Sequence, residues 1–289
     1  MKKSRTFDVV VIIMFAALAL LTLYPFYNVI ILSFSNTESV AKHIPYLLPF
    51  ALDLTGYKTI IQDSDFINSL LVSLFVTIVG TAVSMVLSVI AAYVLSRKYL
   101  DGRNMIMSVI VFTMLFGGGL VPTYMVIKDM GLINKVWAMI LPTAINTYYL
   151  IIMKNYFLGL PDGLFEAAKL DGAGEWTMLW KVAFPLSKPI MATFTLFYAV
   201  DRWNEWYNAL LYINKKALSP LQIYLRDILT SLNSQLSTQA QQMMGSTQKV
   251  STSAVQMATI VITALPIMLV YPYLQKYFVN GVMVGGIKE

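Results

Sequence analysis

Two stretches of this chain hold residues that could act on a solute. One is Asp201-Arg202-Trp203-Asn204-Glu205-Trp206-Tyr207-Asn208, set in an otherwise apolar run. Trp203, Trp206 and Tyr207 supply flat faces on which sugar rings stack, and Asn204 and Glu205 offer partners for hydroxyls. Arg202 can meet Glu205 at i+3 on a helix. Charges inside an apolar span are costly, so they usually face an aqueous cavity or a partner. The competing reading is an aromatic belt at the outer interface around a structural ion pair. Asp201 and Glu205 share a face at i+4, which suits a glycosidase pair only superficially. The other stretch is Gly117-Gly118-Gly119-Leu120-Val121-Pro122. Glycine weakens a helix there, and Pro122 would remove the bond to Gly118. A helix broken so far into a span exposes backbone groups to a water-filled path; the alternative is a kink that fits a neighbouring helix.

Other chemistries lack material. The chain has no cysteine and one histidine, His43, in a polar loop. A thiolate metal site, a disulfide framework, a His-metal centre and a Ser-His-Asp triad are all poorly supplied. No GxxxxGK[ST] phosphate loop occurs, so this chain is expected to hold no cofactor, and ATP with its Mg would belong to another chain. The net charge of +6 comes from basic residues scattered through loops, which points to membrane topology rather than nucleic acid.

A third stretch, residues 161–189, is the long polar interruption of the central apolar block. Asp162 can cap a short helix whose first turns carry Glu166, and Gly172 lies where such a helix would stop. A second short helix can run from Glu175 to about Ala183, because Pro185 cannot continue one. Two stubby helices around a glycine turn make a knob facing water.

That knob carries a resemblance. Glu166-Ala167-Ala168, then Gly172, Val182 and Phe184-Pro185 at the matching offsets, resembles the EAA loop of bacterial ABC-importer permeases. Val and Phe stand where that family often has Ile and Leu, keeping an apolar contact. The resemblance implies a cytoplasmic loop whose first helix sits in a cleft of an ATPase subunit. Leu164 and Leu170 would fill that cleft, Glu166 would meet a basic group, and Ala167, Ala168, Asp171, Gly172, Phe184 and Pro185 would shape the contact. The Gly-Gly-Leu-Val-Pro-Thr-Tyr run and the Trp-Asn-x-Trp pattern resemble the maltose-permease-like saccharide importers paired with lipoprotein binding proteins. Gly117, Gly118, Gly119 and residues 201–207 are then the candidate substrate path. In that family the long outer loop faces the binding protein and the C-terminal tail can press against the ATPases.

The elements that must position these residues follow from composition. With 289 residues, 57% hydrophobic, 12% charged and a mean hydropathy of +0.66, the chain reads as an all-α membrane protein. Apolar runs place six transmembrane helices near 9–34, 66–95, 104–127, 136–153, 190–213 and 255–278. Ser69, Ser73, Gly80, Ala82, Ser84, Ser88, Ala91 and Ala92 would let the second span approach its neighbours closely. The expected organisation is a cytoplasmic N-terminus 1–8, a permease domain 9–280 with coupling loop 161–189 and outer loop 214–254, and a cytoplasmic tail 281–289. Leu218 to Leu229 reads as an amphipathic helix within the outer loop. Lys and Arg number 12 on the proposed inner side against 8 outside, the latter mostly in long loops, so both termini and the knob are expected on the cytoplasmic side of a bacterial inner (cytoplasmic) membrane that the chain crosses several times.

The expected function is the permease subunit of an ABC importer with a type I fold. Its partners would be a second permease, two ATPase subunits, an extracellular solute-binding protein, an oligosaccharide and lipid. Two rivals from other classes are an ion-driven secondary transporter and a non-transporting membrane scaffold. The first needs titratable groups near mid-membrane and usually internal repeats, and acids occur in a span only at 201–205. The second needs no polar residue facing a cavity.

Overall fold

The structure is a computed structural model that describes residues 5–35, 52–239 and 252–285, with side chains at 7–35, 52–230 and 254–270. Lys2, Lys3, His43, Pro45, Pro49, residues 240–251 of the outer loop and residues 286–289 lie outside it. Among the described residues every regular element is a helix, and extended chain pairs only in one bridge between Ser35 and Leu52. The chain forms two compact units, residues 1–67 with 224–266, and residues 68–223 with 267–289.

The first unit begins with α1, Arg5–Ser33, whose described side chains point outward all round until its last turn: Leu20 and Leu21 are each 72% exposed. A bare apolar shaft of this length belongs in a bilayer, where exposure costs nothing. Its end is fastened to α2, Thr55–Gln62. The Ser33 and Tyr57 hydroxyls meet at 2.7 Å, and Phe34 stacks on the Tyr57 ring at 4.9 Å. Gly56 lets α2 approach closely, since a Cβ there would lie 3.1 Å from the Ala254 carbonyl oxygen.

α3 is the long helix Ser64–Ser96. In the second unit it is followed by α4, Arg103–Leu115, and α5, Leu120–Asp129, which meet at a 116° bend. The glycine run therefore breaks the third span, as its sequence suggested. The break starts a new helix at Leu120, which places Pro122 in a first turn where no backbone donor is needed. Pro122 accordingly removes no bond to Gly118.

The fourth span departs further from expectation. Two short 3₁₀ turns, Val136–Met139 and Leu141–Thr143, give way after a 50° bend to α6, Thr147–Leu158. Asn146 starts α6 by accepting from the backbone N–H groups of Tyr148 and Tyr149, and this cap outcompetes a continuous helix.

The knob comprises α7, Asp162–Leu170, α8, Glu175–Thr177, a π-helical turn Met178–Ala183, and α9, Phe184–Leu186. α10 follows at Lys188–Trp203, then α11, Tyr207–Tyr212, α12, Leu221–Gln239, and α13, Thr252–Gly285. The helix read from Leu218 starts instead after Pro220. Among the described residues, α1 and α3 are long and apolar enough to cross a membrane singly, and the two bent pairs raise that to four. The fifth and sixth expected spans correspond to the 16-residue α10 and to α13.

The core of the second unit gathers Val89, Ala92 and Tyr93 of α3, Leu150, Met153 and Phe157 of α6, Phe165 and Met178 of the knob, and Phe194 and Tyr198 of α10.

Candidate functional site

The knob has two faces of opposite character. Inward, Phe165 is 6% exposed and Ala168 is half-buried, with Met178, Leu179 and Ala183 buried behind them. Outward, Leu164, Glu166, Ala167, Asp171 and Gly172 are exposed, and Leu170 is 90% exposed. Phe184 is half-buried and Pro185 exposed. Gly172 has φ of +81°, the left-handed conformation that ends α7. Pro161, not Asp162, occupies the N-cap position, and the Asp162 side chain makes no cap bond. Its carboxylate meets Lys98 Nζ at 2.7 Å, and this hydrogen bond holds the carboxyl below its usual range. The second limb passes Ala183 and ends at Leu186 because the π-helical turn changes the hydrogen-bond register just ahead of Pro185.

The end of α3 and the turn after it grip this knob. The Arg97 guanidinium lies between two rings, 3.8 Å from the Phe165 centroid and 4.2 Å from that of Tyr93. Tyr93 and Tyr99 each donate to the Glu175 carboxylate, at 2.9 and 2.5 Å. Lys169 sits 4.4 Å over the Tyr99 ring and 3.9 Å from Glu175. Burial first, and donation to Glu175 next, push the Tyr99 hydroxyl up to about 12.

The second candidate region is a cavity of about 560 Å³ to which three interrupted helices contribute. Met114 borders it near the end of α4, Pro142, Thr143, Ile145 and Asn146 from the break before α6, Thr147 and Tyr148 from the start of α6, and Tyr198, Asp201, Arg202 and Glu205 from the end of α10 and just after it. Arg202 is 3% exposed; both terminal nitrogens of its guanidinium are engaged, while the buried Nε meets no acceptor among the described residues. Nη1 donates to the Met139 carbonyl at 2.8 Å and Thr143 Oγ1 at 2.7 Å; Nη2 donates to the Thr143 carbonyl at 2.7 Å and Ser84 Oγ at 3.0 Å. Arg202 thus makes no ion pair with Glu205, whose carboxylate accepts instead from the backbone and side-chain N–H groups of Asn208 and starts α11.

Asp201 accepts from the Tyr149 hydroxyl at 3.0 Å. Trp203 is buried, so its ring presents no open face, whereas Trp206 and Tyr207 are about half exposed and meet edge to face at 5.8 Å. Asn204 lies exposed in the turn after α10. Gly117, Gly118 and Gly119 are exposed in the break between α4 and α5, outside the cavity lining.

The family model for the binding-protein-dependent transport system inner membrane component matches residues 7–284. The chain belongs to this family. Among its relatives, this inner membrane component is 42% identical to Protein LplC of Bacillus subtilis (strain 168), over 99% of this chain and 96% of that protein. It is 43% identical to the polygalacturonan/rhamnogalacturonan transport system permease protein YtcP of the same organism, over 99% of each chain. A solved structure of a bacterial ABC transporter involved in the import of the acidic polysaccharide alginate superposes with a TM-score of 0.87 at 32% identity. That match covers 96% of this chain and 99% of the other.

Several residues of this inner membrane component take part in these arrangements without having been singled out from sequence. The sequence offered no role for Arg97, Lys98 and Tyr99, and Glu175 read only as a helix start. Ser84 and Ser88 read as small residues for close packing. Their hydroxyls in fact serve Arg202 and the Tyr198 hydroxyl, the latter at 2.7 Å. Polar residues at i, i+4 in an apolar span were the available signal.

Proposed function

We propose that this chain is a permease subunit of an ABC importer for a saccharide. With a second permease it forms the path through the membrane, and two ATPase subunits and an extracellular solute-binding protein complete the assembly. The observation that carries the reading is the outward face of α7. It leaves Leu164, Glu166, Ala167, Leu170 and Asp171 without partners from this chain's core, on a helix whose other face is packed. A short amphipathic helix offering leucines and one acid to water suits insertion into a cleft. ATP-driven closure of the ATPases would move the knob as a unit and switch access to the cavity between the two sides. ATP and Mg would be held by those ATPases, and both termini would lie in the cytoplasm with the knob.

The saccharide assignment draws on the relatives: YtcP is a polygalacturonan/rhamnogalacturonan permease by name, and AraQ of Halalkalibacterium halodurans, 25% identical over 95% of this chain, is an arabinooligosaccharide permease. Within the cavity, the groups left to meet sugar hydroxyls are Asp201, Glu205, Asn146 and Tyr148. Trp206 and Tyr207 provide open rings for stacking. The deciding experiment substitutes Glu166→Lys and Gly172→Pro in the complete complex. Both should abolish sugar uptake and transport-coupled ATP hydrolysis while the chain still inserts; full uptake by both would refute the reading.

A further inference from the structure

We infer that α3 receives the knob's movement directly, through a clamp in which Arg97 is the central positioning residue. This rests on the docking role proposed for α7 and adds where the motion goes next. The knob is joined covalently only to α6 and α10, so a contact to α3 must be made by side chains.

Four side chains from the end of α3 and the turn beyond it make that contact. Arg97, the first residue after α3, is held between the rings of Tyr93, on α3, and Phe165, on α7, at 4.2 and 3.8 Å. Its Nε and Nη2 are buried and meet no hydrogen-bond acceptor among the described residues, so the guanidinium is committed to the ring faces. Lys98 pairs with Asp162 at the start of α7. Tyr93 and Tyr99 converge on Glu175 at the start of α8, one hydroxyl on each carboxylate oxygen. Lys169, on the last turn of α7, closes the set by lying over Tyr99.

The contacts therefore fall on both limbs of the knob, at three separate points: 162, 165 to 169, and 175. Three points fix a rigid body against rotation as well as translation. A single contact would let the knob pivot under load, and a purely exposed ion pair such as Lys98–Asp162 would contribute little. The guanidinium between two rings is the part shielded from water, which is why the clamp depends on it.

The test uses the complete complex in lipid vesicles, with its solute-binding protein and sugar. Three quantities are read: ATPase co-purifying with the chain, ATP hydrolysed, and sugar moved per ATP. Arg97→Leu keeps an apolar stem for the two rings but removes the planar charge. The ATPase should remain bound at the wild-type ratio, because the outward face of α7 is intact. Sugar moved per ATP should fall about fivefold or more, the low end of coupling between linked sites. An unchanged ratio overturns the clamp. If Arg97→Leu does not assemble, Tyr99→Phe removes one hydrogen bond to Glu175, Glu175→Gln leaves one acceptor oxygen and removes the charge beside Lys169, and the double variant is judged by the same ratio. Failure of the docking role shows elsewhere: ATPase would then bind the Glu166→Lys and Gly172→Pro chains as well as wild type and drive full uptake.

Discussion

Replacing Arg202 with Met tests whether the buried charge of α10 serves structure or solute. Methionine retains most of the stem but removes every donor. The four acceptors left behind include the Met139 and Thr143 carbonyl oxygens, which belong to 3₁₀ turns and are reached by Arg202. Hydrogen bonds to a charged donor are each worth about 1.5–3 kcal/mol, so their simple sum would be roughly 6–12 kcal/mol. That sum overstates the loss, because removing the guanidinium also removes its desolvation cost. Leaving a buried acceptor unpaired costs about 1–3 kcal/mol, so two stranded backbone carbonyl oxygens span roughly 2–6 kcal/mol, and we take about 3–5 kcal/mol. At about 2–4 °C per kcal/mol the midpoint of thermal unfolding should fall by roughly 6–20 °C. The assay is loss of the monodisperse peak of the detergent-solubilised chain after stepwise heating. Arg202→Lys should recover less than half the shift, since an ammonium cannot fork across sites on two elements. A shift below about 2 °C for Arg202→Met would refute the structural assignment. Arg202 would then be free to meet solute.

Two further outcomes follow from neighbouring contacts. A Cβ on Gly80 would lie 3.0 Å from Arg202 Cδ, and that side chain is pinned by its four hydrogen bonds, so Gly80→Ala should destabilise by about 1–3 kcal/mol despite alanine's better helix propensity. In an Arg202→Met background the same change should cost less, so the pair is non-additive in the heating assay. Tyr99, pushed up to about 12, must be protonated to donate to Glu175. Because its folded value is raised, this contribution is whole below the unfolded value near 10 and disappears as pH rises through 12. The ultraviolet titration of wild type minus Tyr99→Phe should show a midpoint near 12, and Glu175→Gln should lower it; a midpoint near 10 in wild type would contradict the contact.

What could be read from sequence were features that announce themselves locally. α1 and α3 are uninterrupted apolar runs, and their helices match the runs closely. Gly172 and the glycine triplet are stops that any neighbourhood would respect, and both act as stops here. The fourth span misled because Pro142 and Asn146 sit inside an apolar run, and only the cap at Asn146 shows that the run is two pieces. Arg202 misled for a different reason. Its nearest acidic residue by helical spacing is Glu205, but its actual partners are 59, 63 and 118 positions away along the chain. Glu205, three residues from Asn208, was claimed by a local cap instead. The clamp was invisible for the same reason, since Tyr99 and Glu175 stand 76 positions apart.

The long-range contacts share a pattern that links the knob to the cavity. α10 begins two residues after the last residue of α9 and carries Tyr198 and Arg202 in its far half, about 15 and 21 Å from its start at 1.5 Å per residue. α3 carries the clamp residue Tyr93 near one end, with Arg97 just beyond it, and Ser88, Ser84 and Gly80 successively further back along it. The two helices are therefore tied together at the cavity, through Ser88–Tyr198 and Ser84–Arg202, and tied to the same knob at their other ends. Each tie at the cavity also satisfies a break in the fourth span. The Tyr198 hydroxyl accepts from the Asn146 N–H at 3.0 Å, and Arg202 serves the carbonyls of residues 139 and 143. Unpaired backbone groups are costly in an apolar interior, so the broken segment must follow the two helices that supply its partners. A displacement of the knob of the kind proposed above would therefore carry α3, α10 and the 139–146 segment together, and the cavity wall that α10 and this segment share would move with them.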